Sequence, residues 1–267
     1  MSVDGKKTLS IWIMNSKGGV GKTTLAIAVA DFLLVNQQEP VILEIDSRKR
    51  LSSFIGETVS FDGAPSIEDM RKNPNAMLAH YDPVAEALMS SDTILDVGAN
   101  EDGPFLEYCT LSRLDEDFQE ENIQVVTLVP AVMESESIRG ALEALASIHA
   151  AIPSARRVLI LNERDGSNWD AYLPAKTLKQ LHTQGVSIIR IPRIVSEGWD
   201  DFQRNYMRFS DIIDQTPSDM SAKFGFARTK AKRSRGDIAS WFMEVDAGLG
   251  SVIPEVVGDD TEAEESI

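Results

Sequence analysis

Residues 16–24, Ser-Lys-Gly-Gly-Val-Gly-Lys-Thr-Thr, constrain this chain more than any other stretch. A short apolar run, residues 9–14, precedes them, and a strongly apolar helical pattern, residues 25–35, follows. The order is strand, glycine-rich loop, helix, the setting in which a loop closes around phosphate. Gly18, Gly19 and Gly21, on either side of Val20, give the backbone access to left-handed angles, so several N–H groups can converge on one anion. The helix that begins near Lys22 turns its positive end to the same point. Lys22 supplies a mobile charge for the outer phosphates. The Thr23 hydroxyl is placed to ligate Mg²⁺, and Thr24 to donate to an inner phosphate.

The common form of such a loop is G-x-x-x-x-G-K-[ST]; here Ser16 stands first and a second lysine, Lys17, follows it. The pattern K-G-G-x-G-K-T-T resembles the deviant Walker A loop of the ParA/MinD family of ATPases. The resemblance implies ATP and Mg²⁺ as ligands, with the nucleotide held by Lys17, Gly18, Gly19, Val20, Gly21, Lys22, Thr23 and Thr24. It also implies an ATP-dependent homodimer in which Lys17 of each copy reaches the nucleotide of the other. Lys17, Lys22 and Asp46 are its catalytic residues, and Thr23, Asp46 and Asp96 its metal-side residues.

Two strand ends carry the rest of that resemblance. Val41-Ile42-Leu43-Glu44-Ile45-Asp46 ends where parallel sheets place ligand chemistry. In the family this stretch, switch I, reads D-x-D followed by Pro-Gln; here Glu44 and Ser47-Arg48 depart from it. Asp46 matches the residue that orients the attacking water, and Glu44 a supporting acid near the loop lysine and metal. Thr93-Ile94-Leu95-Asp96-Val97 has the Walker B form, whose carboxylate holds Mg²⁺ through its water shell. Gly98 then offers an N–H to the terminal phosphate. Gly98-Ala99, where most relatives have proline, resembles the TraL-type proteins of conjugative plasmids.

Base choice is read from Asn162-Glu163-Arg164-Asp165. In the family the asparagine bonds the adenine edge. The spacing to Asp165 also matches the guanine-reading N-K-x-D, but Glu163 replaces its lysine, which favours ATP over GTP. The I-P-R sequence at 191–193 resembles a segment that lies against the base, with Pro192 on the ring face.

Apolar runs at 9–14, 41–46, 93–97, 124–129, 157–161 and 186–191 alternate with helical patterns at 25–35, 76–89, 105–114 and 134–150. That alternation predicts an α/β fold, a mostly parallel sheet with helices on both faces. Pro130 is expected to end its strand, and the acids at 115–121 to form a solvated loop. Gly63, Pro65 and Pro74 leave residues 51–90 otherwise illegible. From Trp199 a helix is expected, with Phe202, Tyr206 and Phe209 as core or subunit contact.

The 267 residues suit one domain, read as 8–250, with a loose leader at 1–7 and an acidic, disordered tail at 251–267. The domain's helical segment 220–246 holds Arg228, Lys230, Lys232, Arg233 and Arg235, a basic cluster. The formal charge of −16 argues against wholesale coating of nucleic acid but leaves room for such a patch. In the resemblance, residues like these grip DNA phosphates without reading sequence; the competing reading is a solvated helix face. Cys109 is the only cysteine, which excludes a disulfide framework, a thiolate metal site and the iron–sulfur relatives. His80, His149 and His182 lie in separate segments and read as surface or packing residues. No run reaches the length of a membrane span, and no basic amphipathic tail matches the membrane-binding members. A cytoplasmic protein is expected. Two functional readings result: an ATP-driven dimeric switch serving plasmid partition, stability or transfer with a partner protein, or a nucleotide-dependent interaction module with little turnover and no DNA contact.

Overall fold

The computed structural model describes residues 7–46, 49–73 and 75–254. Most of the expected leader, Ser47-Arg48, Pro74 and the acidic stretch 258–267 therefore lie outside the described residues. The first half of the chain forms β1 (Thr8–Ile13), α1 (Lys22–Val35), β2 (Val41–Ile45), α2 (Ser52–Ile55), β3 (Val59–Phe61), α3 (Ile67–Lys72), α4 (Ala76–Ser90), β4 (Thr93–Val97) and α5 (Asp102–Leu111). Then come α6 (Leu114–Glu120), β5 (Ile123–Ala131), α7 (Ser135–Ala151), β6 (Arg156–Asn162), α8 (Ala175–Thr183) and β7 (Ser187–Ile191). Four helices finish the described chain: α9 (Trp199–Arg204), α10 (Phe209–Asp214), α11 (Pro217–Phe224) and α12 (Arg228–Gly250).

The strands make one seven-stranded sheet in the order β3-β2-β4-β1-β5-β6-β7, and every pairing is parallel. Successive side chains on a strand point to opposite faces, and the two cores follow that alternation. Trp12, Leu43, Leu95, Val125 and Leu159 join α4, α5 and α7 in one core. Ile11, Ile13, Ile94, Val126 and Ile160 pack with α1 and α12 in the other. The same alternation carries Glu44 and Asp96 to the α1 side, and the register sets them beside each other.

Several elements differ from expectation. Pro130 lies inside β5, but past the last β1 pairing, Ile13↔Leu128, so its missing N–H removes no bond to β1. The acidic run is the helix α6, with Asp115, Glu116 and Asp117 at its positive end and Leu114 and Phe118 buried one turn apart. The helix expected from Trp199 breaks in two: Tyr206 takes φ 51°, is exposed and packs edge-on to Phe54 at 5.3 Å. Trp199 and Phe209 nevertheless stack, at 5.7 Å between centroids. Beyond residue 250, Val252 and Ile253 are buried, so the packed domain runs past the boundary expected for the tail.

One buried charge joins α1 to the start of α10. Asp31 of α1 is fully buried and takes Arg208 Nη2 at 2.7 Å and Nε at 2.9 Å, together with the Ser210 hydroxyl at 2.7 Å. Removing one partner of such a pair strands the other in a poor solvent. Asp31→Ala is therefore expected to lower stability by about 3 kcal/mol, read as a fall in the urea midpoint at unchanged slope.

Candidate functional site

The glycine loop is anchored by a residue that reads in the sequence only as the end of a strand. Asn15 is fully buried, and its Nδ2 donates to Pro130 O at 2.8 Å. Its Oδ1 accepts from Lys17 N at 2.8 Å, and its carbonyl accepts from Lys22 Nζ at 2.7 Å. Asn15 thus sets where the loop leaves β1 and where Lys22 points. A buried amide just before a glycine loop was the available signal, but two of its partners lie more than a hundred residues away. Gly19 and Gly21 take φ 75° and 97°, left-handed values that suit glycine. Gly21 then accepts from Leu25 N at 2.9 Å and starts α1, whose first turn holds no acid. The helix thus sets no acid of its own against an anion at that end.

The expected metal-side residues Thr23 and Asp96 meet. Thr23 Oγ1 donates to Asp96 Oδ2 at 3.1 Å. The other oxygen, Oδ1, is buried without a hydrogen-bond partner. Burial pushes the Asp96 carboxyl up to about 7, against the pull of Lys22 and the Thr23 hydroxyl. Burial likewise lowers Lys22, against Asp96, Asp102 and Asp46. An orphaned carboxylate oxygen beside a threonine hydroxyl fits a hard divalent cation. Among the described residues no group of three or more His, Cys, Asp or Glu forms a metal cluster. Mg²⁺ commonly takes one or two protein oxygens and completes its shell with water and phosphate.

Glu44 is fully buried beside Asp96, and burial raises its pKa. Its place beside Asp96 fits the supporting acid expected there, and its Oε1 in addition accepts from Leu51 N at 2.8 Å. Asp46 lines a cleft of about 760 Å³ together with Arg50 and Ala99. Gly98 departs from expectation. Its N–H is donated to Ile45 O at 2.7 Å and so is not turned to a phosphate here. A Cβ at Gly98 would meet that carbonyl at 2.8 Å, so glycine is required by the close approach of two strand ends.

The cleft runs from Gly18, Lys22, Thr23 and Thr24 to Asn162, Ile191 and Pro192, all at the carboxyl edge of the sheet or in the loop and helix that follow β1. Asn162 bonds the loop itself: Nδ2 donates to Val20 O at 3.0 Å, and Oδ1 accepts from Arg164 N at 3.1 Å. Arg164 Nη1 donates to Gly19 O, while its Nη2 pairs with Asp165 at 2.8 Å. Pro192 forms part of the wall, and its carbonyl accepts from Trp241 Nε1 at 2.7 Å. Asn15, Arg164, Trp199 and Trp241 were not among the expected site residues; the last three line the cleft.

Lys17 does not enter the cleft. Its Nζ pairs within the same chain with Glu136 at 2.8 Å and Glu134 at 3.1 Å. In the basic cluster, Arg233 pairs with Glu197 at 3.0 Å, and Lys230 lies 3.8 Å from Asp201 and over the Phe226 ring. Arg235 Nε donates to Ile213 O at 2.6 Å. Arg228 and Lys232 are exposed on the same helix. Acids answer part of the cluster's charge, so its field is weaker than the sequence suggests. Among the described residues no helix is long and apolar enough to cross a membrane.

No family model matches this sequence, and no curated protein matches it. Among solved structures, a chain of the MinC:MinD cell division protein complex of Aquifex aeolicus is 16% identical, with a TM-score of 0.46, over 88% of this chain and 95% of that one. A chain of the Cyanothece McdA–ATP complex is 17% identical, with a TM-score of 0.46, over 90% and 98%. At these values the function has to be read from this chain's own residues.

Proposed function

We propose that this chain is a ParA/MinD-type ATPase, a switch in which two copies close on ATP and part after hydrolysis. One observation carries it: Thr23 and Asp96 converge at 3.1 Å, directly after a loop in which Gly19 and Gly21 take left-handed angles. ATP lies with its phosphates on residues 17–24 and its base between Asn162 and Pro192. Adenine is favoured over guanine because Asp165, the residue a guanine reader needs, is paired with Arg164. Mg²⁺ on the Thr23 and Asp96 side would draw charge off the outer phosphate oxygens. Asp46 holds a water in line with the terminal phosphorus. The water oxygen bonds to phosphorus, the bond to the ADP oxygen breaks, and the proton leaves with the inorganic phosphate. Lys22 and the partner copy's lysine offset the charge that spreads over the oxygens.

Lys17→Ala tests this reading. Nucleotide binding is expected to persist, while ATP-dependent pairing disappears and turnover falls by about 100-fold or more. Light scattering and phosphate release on one sample measure both; normal pairing by the variant rejects the trans role of Lys17. Service in plasmid partition, stability or transfer, with a partner protein, is supported by the resemblance of residues 96–100 to the TraL type. Non-specific DNA contact falls to Arg228 and Lys232, with Lys230, Arg233 and Arg235 if their acids let go. The ion pairs at Glu197 and Asp201 favour the second reading, an interaction module without DNA contact. A mobility shift with ATP that weakens steeply as salt rises supports the first; no shift at low salt supports the second.

A further inference from the structure

The start of α7 is built against the glycine loop. A Cβ on Gly140 of α7 would lie 3.0 Å from Ser16 Oγ and 3.1 Å from Asn15 Oδ1, so the helix backbone abuts the loop. Asn15 Nδ2 also reaches Ser137 O at 3.5 Å. The Ser137 hydroxyl accepts from Val132 N at 3.0 Å and closes the segment ahead of α7. Glu134 and Glu136 stand on this braced turn, and both carboxylates lie on Lys17 Nζ. The Lys17 backbone is fixed by Asn15 Oδ1 as well. Loop and acids thus share one anchor, and the lysine side chain is held along its own chain.

We propose that Glu134 and Glu136 are positioning residues that restrain Lys17 in the resting chain, so that pairing on nucleotide must first break both ion pairs. The inference rests on the trans role of Lys17 proposed above. It assigns the control of that role to two acids outside the phosphate loop. The lysine is held above its ordinary pKa chiefly by the two carboxylates, and Glu136 is held below its own chiefly by Lys17. All three groups remain partly exposed, so the restraint is modest and salt-sensitive. It can shift a threshold without blocking the switch.

The test compares the native chain with the double variant Glu134→Gln, Glu136→Gln. Light scattering follows pairing as a non-hydrolysable ATP analogue is titrated, at about 50 mM and about 300 mM salt. The double variant is expected to pair at about threefold to tenfold less analogue at low salt, with the gap closing at high salt. Binding of a fluorescent analogue to dilute, unpaired protein is expected to be alike in both. Adding Lys17→Ala to the double variant is expected to erase the gain. If the native chain pairs and the double variant needs the same analogue concentration, the restraint is refuted while the trans role stands. If the native chain binds the analogue but never pairs, the trans role fails and the restraint falls with it. A gain that survives Lys17→Ala also overturns the restraint, because Lys17 then has no part in it.

Discussion

Lys22→Ala is expected to abolish nucleotide binding, with a loss of at least about 100-fold in affinity. The ammonium of Lys22 is nearly buried and held on two loop carbonyls, Asn15 at 2.7 Å and Lys17 at 3.2 Å. It is therefore aimed before any ligand arrives. Its field also acts on Asp96 and Asp102. Without it, a triphosphate would approach uncompensated acids. Because removing a buried cation can also weaken the fold, Lys22→Met, which keeps the apolar stem, serves as the second variant. Isothermal titration with ATP and Mg²⁺, with a melting curve on each variant, separates the two effects. Binding within about tenfold of the native value by a folded Lys22→Met chain would overturn the phosphate assignment.

Asp46→Ala is the other large effect expected. Turnover should fall by about 100-fold or more while analogue binding and pairing survive, trapping a closed dimer. Asp46 follows directly on β2 and lines the cleft, whereas its neighbour Glu44 is fully buried and accepts from Leu51 N. The two acids of this segment thus divide the work. On the proposed reading Asp46 acts on water, while Glu44 accepts from Leu51 N. Single-turnover phosphate release measures the first role. Undiminished release from Asp46→Ala would remove Asp46 from the catalytic set.

Most of the sheet was legible because its strands are apolar runs bounded by turn residues and spaced by helical patterns. The loop was legible because its chemistry is local: glycines, lysines and threonines act within nine consecutive positions. What escaped depended on distant partners. Asn15 matters through Pro130, Ser137 and Lys22, none of which its immediate sequence reveals. Edge strand β3 has three residues, too few for a period to register. In α6, the acids drew attention away from Leu114 and Phe118, whose four-residue spacing marks a buried helix face. The opposite error occurred after Trp199, where aromatic spacing concealed a break at Tyr206. Lys17 shows the remaining limit: its sequence context gives its charge and reach, and only the fold gives the company it keeps.

The contact between Gly98 and Ile45 has a mechanical consequence. One short bond rivets the tip of β4 to the tip of β2, and no side chain fits between them. The segments that leave β4 and β2 are therefore coupled at their roots, so a displacement beside Asp46 is expected to carry over to Ala99.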